Sequence, residues 1–366
     1  MIAQELKDMI GQMIMVGFKE AELNKECPIV SAIKDFSLGG VILFSIDLPQ
    51  YLEEQEKNPG LTRYEAARLC PKNIISPDQL QNLTSTLQSY GQNSLLIAVD
   101  QEGGLVSRLG PAAGFPETES PKALGERNDL AITAQAAKTT AQELRRSGLN
   151  LNLAPVVDLS LNPEGPIAKN GRSFGSDPNR VYRHATAFIL AHRQQGLLTT
   201  LKHFPGKGSA GRDTHFQMAD VTSCYQPQEL YPFSWLIEEG LADAIMTSHL
   251  LHHDWDAEYP ITLSPKILHG FLRGQLGYQG VVISDDLLMG AVVRQFSLEE
   301  ACWLAVEAGV DILLASNNSP ERYDPHLFFR IFEALIRGIE QGRLSRAMVE
   351  VSHSRIRALK GRLENK

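Results

Sequence analysis

From position 202 to position 215 the chain reads KHFPGKGSAGRDTH, which puts several proton-handling side chains on one short, glycine-rich stretch. Residues two apart in an extended segment project to the same side, so Asp213 can accept from one ring nitrogen of His215 and leave the other free to move a proton. A histidine oriented by a carboxylate is a general acid/base arrangement. Pro205, Gly206, Gly208 and Gly211 forbid a helix and imply a tight, mobile loop able to swing over a bound substrate. A solvated loop with an incidental ion pair is the plainer reading. The coincidence of strand end, glycines and dyad weighs against it.

Something rigid must carry that loop. Eight short apolar runs, each followed by a stretch of helical periodicity, mark candidate strands: 13–18, 40–45, 95–100, 151–159, 198–204, 244–250, 281–286 and 310–316. Several are apolar at consecutive positions, as parallel strands buried on both faces require. Helical segments 136–148, 180–196 and 298–309 lie between them, closing on glycines that suit a C-cap and a short return to the next strand. Eight βα units in 366 residues predict an α/β fold with one (β/α)8 TIM-type barrel, residues 1–366 forming a single catalytic domain. No GxGxxG follows the first strand, as an open doubly wound sheet would favour.

In such a barrel chemistry collects at the C-terminal ends of the strands, and the polar residues fall there. Asp100 ends the third run, Lys202 and His203 the fifth, His249 the sixth, Asp285 and Asp286 the seventh. Asp285 is a candidate nucleophile, base or metal ligand, whereas Asp286 also fits an N-cap for the following helix. In DQEGGLVSRLG, Asp100 and Arg108 bracket a turn whose glycines let backbone approach a ligand. An Asp there suits vicinal sugar hydroxyls, and Arg108 a further hydroxyl or amide. Arg172, in NGRSFGSDP, sits after the fourth strand and could do similar work; either arginine also fits a structural clamp between loops.

Composition narrows the classes. A net charge of −8 and a pI near 5.7 argue against a nucleic-acid partner. Cys27, Cys70, Cys224 and Cys302 are scattered without CxxC spacing, which fits reduced thiols and a cytoplasmic setting. The first residues lack the pattern of a signal peptide, and no apolar run is long enough to span a bilayer, so no membrane association is expected. Residues 46–71 break the βα rhythm and read as a loop insertion, either a surface excursion or a rim that shapes substrate access or a subunit contact.

Four ordered motifs, LLIAVDQEGG, NGRSFGSDP, KHFPGKGSAGRDTH and GVVISDDLLMGA, resemble glycoside hydrolase family 3, in particular its single-domain bacterial β-N-acetylglucosaminidases. The likeness runs from about Ile10 to about Ser316. It implies Asp285 as the nucleophile of a covalent glycosyl-enzyme and His215, oriented by Asp213, as acid/base. Asp100, Arg108, Arg172, Lys202 and His203 match positions that line the terminal N-acetylglucosamine site. The resemblance further implies a monomer without metal or other cofactor, taking N-acetylglucosamine-containing muropeptides in cell-wall recycling. The family usually has His where this chain has Lys207 and Ser where it has Thr214; Lys207 is expected to lower the acid/base pKa. Rival readings are a phosphorylase on the same scaffold, a Schiff-base lyase using Lys202, a metal-dependent hydrolase using His203, His215, His249 and Asp285, and a non-catalytic sugar-binding barrel.

Overall fold

The computed structural model describes residues 3–91, 94–211, 218–319 and 323–364. Eight parallel strands form one sheet: β1 (Ile14–Gly17), β2 (Gly40–Ile42), β3 (Leu96–Val99), β4 (Leu151–Asn152), β5 (Leu198–Phe204), β6 (Ala244–Thr247), β7 (Val281–Ile283) and β8 (Leu313–Ala315). They lie side by side in chain order from β1 to β7, with β8 against β1. The ring closes between the last two: Ile283 bridges Ile312 in parallel, and Ser284 N–H donates to the Ile312 carbonyl at 3.0 Å. The chain is a (β/α)8 barrel.

Each expected run holds a strand; the fifth fills its run from Leu198 to Phe204, and the other strands are shorter than theirs. The fourth shows why. Pro155 has no N–H to give the ladder, so regular pairing stops at Asn152 and resumes only as a Val156–Lys202 bridge. The strands are buried along their whole length on both faces, consistent with their apolar composition.

The helices start and stop where their caps dictate. Asp129 caps Leu130–Arg146, Asp177 caps Pro178–Gln194 and Ser297 caps Leu298–Ala308, each side chain accepting from first-turn N–H groups. Gly309 ends the last of these at φ 104°, a conformation a side chain would resist. The segment expected as a loop at 46–71 is instead largely helical. Asp47 caps Leu48–Lys57, a Thr62–Glu65 capping box starts Arg63–Leu69, and an Ile46–Pro71 bridge closes the base.

The N-terminal end of the barrel is sealed by the helix Arg346–Glu364. Arg355 reaches Asp311 just before β8, Arg362 reaches Asp243 just before β6, and Lys360 Nζ donates to Gln12 Oε1 and the Gly39 carbonyl. The opposite end is left for the site.

Candidate active site

Asp100 leaves β3 into a short hairpin in which Gln101–Gly103 pairs with Val106–Ser107, and the turn returns Arg108 beside Asp100. The Gln101 side chain accepts the Arg108 and Leu109 N–H groups and so fixes that return. Arg108 Nη2 then meets Asp100 Oδ2 at 3.3 Å, while its guanidinium lies over the Phe44 ring. From the end of β5, Lys202 Nζ donates to Asp100 Oδ1 at 2.8 Å and to Glu102 Oε1 at 2.6 Å. Glu102 in turn takes a two-pronged pair from Arg172, Nε at 2.8 Å and Nη2 at 2.7 Å.

Five expected site residues therefore meet in one place. Asp100, Arg108, Arg172, Lys202 and His203 form a continuous network, with Glu102 as the hub that joins Lys202 to Arg172. Burial alone would raise the Asp100 carboxyl, but Lys202 and Arg108 hold it well below the usual carboxylate range. Burial is likewise outweighed at Glu102, which Arg172 and Lys202 hold down to about 2. Lys202 is kept charged: the desolvation that would lower its pKa is overcome by Asp100 and Glu102. Asp100, Glu102, Arg172 and Lys202 thus meet as charged groups.

His203 is fixed by Asp158, which accepts from its backbone N–H at 3.0 Å and pairs with Nδ1 at 2.7 Å. On the other side Nε2 faces Arg172 Nη2 at 3.5 Å. A guanidinium only donates, so Nε2 is the unprotonated nitrogen and Nδ1–H donates to Asp158. Burial, then the charges of Arg172 and Lys207, push the His203 pKa well down, in keeping with a neutral ring.

The same Asp158 carboxylate accepts the Lys207 N–H at 2.9 Å and so holds the start of the glycine-rich stretch. Glu229, fully buried, accepts from Gly208 N–H at 2.7 Å and from Ser209 N–H and Oγ–H at 3.2 and 2.6 Å. A Cβ on Gly208 would lie 1.9 Å from the Leu159 carbonyl oxygen. From Gly206 to Ala210, then, the glycines serve close packing, which corrects the expectation of mobility for that half. Asp213 and His215, with Thr214, lie outside the described residues.

Asp285 stands at the end of β7, partly exposed. Its Oδ1 accepts the Asp286 N–H at 2.9 Å, and burial lowers the pKa values of both His203 and His249 against the opposing charge of Asp285. Asp286 does not cap the next helix, whose N-cap is Met289. It binds Leu288 N–H, Ser316 N–H and Ser316 Oγ–H, tying β7 to β8. His249 is fully buried, with Nε2 against the Asp286 carbonyl at 3.0 Å, and braces the same corner. Among the described residues no group of three or more His, Cys, Asp or Glu has a metal-binding arrangement.

Glu102, Asp158 and Glu229 were missed. Glu102 had a signal, since it lies two residues beyond Asp100, and Asp158 is the last residue but one of the fourth apolar run. Glu229 had only the Gln226–Glu229 capping pattern, which points to a helix start and not to a loop twenty residues away.

Residues 5–359 match the family model described as the N terminal domain of glycosyl hydrolase family 3. The chain belongs to glycosyl hydrolase family 3. Among the family's curated proteins it is similar to beta-hexosaminidase A of Pseudoalteromonas piscicida, 32% identical over 83% of this chain and 54% of that one. A beta-hexosaminidase of Tolumonas auensis is 37% identical over 68% of this chain and 74% of its own length. Among solved structures, a family 3 beta-N-acetylglucosaminidase from Paenibacillus superposes with TM-score 0.84 at 33% identity, covering 98% of this chain and 62% of that one. The beta-N-acetylhexosaminidase of Beutenbergia cavernae gives 0.80 at 30% identity and covers 99% of both. This family 3 barrel thus spans little more than half of some relatives and the whole of others.

Proposed function

We propose that this chain is a retaining β-N-acetylhexosaminidase that releases terminal β-linked N-acetylglucosamine. One observation carries the reading. A partly exposed carboxylate, Asp285, ends the seventh strand at the mouth where a fully ionised cluster from the third, fourth and fifth strands presents polar edges. Fixed, charged donors and acceptors of that kind suit the hydroxyls and acetamide of one sugar ring, and they hold their geometry without a ligand because each is paired with another.

In the proposed mechanism an Asp285 oxygen attacks the anomeric carbon as the bond to the leaving oxygen breaks, and His215 gives that oxygen its proton. The product is a glycosyl ester on Asp285. His215 then takes a proton from water, water attacks the same carbon, and the carboxylate departs. Asp213 orients His215 in both steps. The roles of Asp213 and His215 rest on the sequence motif, and those of Asp100, Arg108, Arg172, Lys202 and His203 on the motif together with their meeting in one network.

The natural substrate we infer is a muropeptide carrying N-acetylglucosamine, processed in the cytoplasm during cell-wall recycling by a monomer with one catalytic barrel domain. Curated relatives named beta-hexosaminidase support the activity, and no helix among the described residues is long and apolar enough to cross a membrane. The test is hydrolysis of an aryl β-N-acetylglucosaminide by the wild type and by Asp285→Ala, with and without added phosphate. Hydrolysis that the substitution abolishes and phosphate does not accelerate is expected; comparable rates for the two proteins would reject the mechanism.

A further inference from the structure

The helix Leu130–Arg146 packs against the helix Pro178–Gln194, and along the way it turns Ala136, Ala137 and Thr140 toward the hairpin that follows β3. Three small side chains within two turns do not fill the space, and a cavity of about 190 Å³ is left between helix and hairpin. Its floor is apolar: Phe115, Leu124, Leu144 and Phe188 line it and are buried. Its opposite wall is the strand Gln101–Gly103. The walls are fixed in place. Gln101 Nε2 donates to the Leu109 carbonyl at 2.9 Å and Gly104 N–H to the Thr118 carbonyl at 2.9 Å. A Cβ on Gly103 would lie 2.1 Å from the Glu119 carbonyl oxygen, so hairpin and residues 115–119 pack without a gap.

The charge of the lining is one-sided. Four glutamates and no Lys, Arg or His surround the cavity. Glu102 is paired with Lys202 and Arg172 on the side of the first site, and Glu119 with Arg127. The other two are left over. Glu117 is exposed at the mouth without an ion pair among the described residues, and Glu143 comes only within 4.0 Å of a largely exposed Arg146.

We propose that this cavity is a second ligand site and that it takes a small aromatic primary amine, the ring on the apolar floor and the ammonium at the mouth with Glu117 and Glu143. A cavity of about 150 Å³ admits a benzene-sized guest, so this one holds a single ring with a short arm. A carboxylate on the same ring would meet two like charges, and a sugar would strand its hydroxyls on the floor. Gln101–Gly103 also carries Glu102 into the network of the first site. An amine that fits the cavity as it stands therefore favours the arrangement in which Glu102 holds Lys202 and Arg172, and the sugar binds more tightly. That consequence rests on the glycosidase reading above; the site itself does not.

Titration calorimetry of the whole protein with 2-phenylethylamine at pH 7.5 should show one site with a Kd of about 0.1–1 mM, with phenylacetate and ethylamine at least about tenfold weaker. Ala137→Leu, which fills the cavity, should abolish amine binding. Glu117→Gln combined with Glu143→Gln, which touches no buried packing, should weaken it about tenfold. In hydrolysis of an aryl β-N-acetylglucosaminide, saturating amine should lower the wild-type KM roughly fivefold. Ala137→Leu should keep the amine-free KM, which shows that it folds, and lose the response. No binding of the amine, equal affinity for phenylacetate, or unchanged amine affinity in Ala137→Leu or in the double glutamine variant would overturn the proposal. So would a KM left unmoved, or one raised by the amine as by a competitor in the sugar site. A wild type that binds the amine and hydrolyses nothing would defeat the glycosidase reading and leave this site standing.

Discussion

Both ends of this barrel carry buried carboxylates paired with cations, yet the pairs are finished differently. At the N-terminal end Asp243 accepts from Thr199 N–H and Oγ–H, Arg193 and Arg362, and Asp311 accepts from Val282 N–H, Ser352, Arg273 and Arg355. The charged donors come from helices, and Arg346–Glu364 closes the end. At the C-terminal end the donors to Asp100 and Glu102 come from neighbouring strand ends and loops. Asp100 and Arg172 keep 16% and 13% of their side chains exposed. The same strand-end chemistry is closed by a helix at one end and left partly exposed at the other, where we place the sugar.

The comparison breaks most visibly at Asp285. If the open end supplies function and little stability, Asp285→Ala should lower kcat roughly 10³-fold or more while leaving the denaturation midpoint nearly unchanged. A large fall in midpoint would mean that the corner with Asp286 and Ser316 depends on this carboxylate, and the two ends would not be so distinct.

Asp311→Ala is the converse. It leaves Arg273, almost wholly buried, without its main partner, and removing one member of a buried pair costs about 3–5 kcal/mol. Urea denaturation should show that loss, with kcat per folded molecule unaltered. A fall in kcat without a fall in stability would show that the sealed end communicates with the open one.

Lys360 sharpens the comparison through pH. Burial lowers its pKa to about 7, with no carboxylate beside it. Above that pH the folded protein holds Lys360 neutral, while the unfolded chain keeps its proton up to the ordinary value of 10.5. Across that window the unfolded state binds more protons, so stability from this group rises with pH. Between pH 7 and 9.5 the wild type should gain about 3 kcal/mol on Lys360→Met. Parallel stability curves for the two proteins would show that Lys360 is charged in the fold.

The open end was far more legible than the sealed one. Eight apolar runs announced the barrel because parallel strands must be apolar on both faces, and ionisable residues directly after those runs, beside glycines, marked the mouth. Asp243 and Asp311 precede strands, where a carboxylate reads as an ordinary loop residue, and their charged partners lie in helices up to 119 positions away, as with Asp243 and Arg362. Periodicity cannot pair residues at that separation. Inside the site the sequence exposed the residues at strand ends and hid those that hold them, Asp158 and Glu229, whose partners are backbone N–H groups of a distant loop. Glycine was misread for a related reason: composition registers its conformational freedom, but at Gly208 only the fold shows that a carbonyl oxygen occupies the space of a side chain.

The smallest expected effect lies at Asp158. Burial pushes its carboxyl up to about 6 against the opposing bonds from His203 and Lys207 N–H. Below that pH the carboxylate is protonated and the Nδ1–H of His203 loses its charged acceptor, so KM for the sugar should rise roughly fivefold as pH falls through 6, about the worth of one hydrogen bond. Asp158→Asn, neutral at every pH, should already show the raised KM at pH 7.5 and no further change down to pH 5. Stability runs the other way. A carboxyl with a folded pKa above its ordinary 3.8 binds more protons folded than unfolded, so its contribution is fully present below 3.8 and is lost as pH rises through 6. At the open end binding improves over the range in which stability declines, whereas at the sealed end Lys360 adds stability as pH rises and should leave KM alone. If KM and stability at Asp158 changed in the same direction with pH, the carboxylate would be serving the fold, as Asp243 and Asp311 do, and the division between the two ends would fail there.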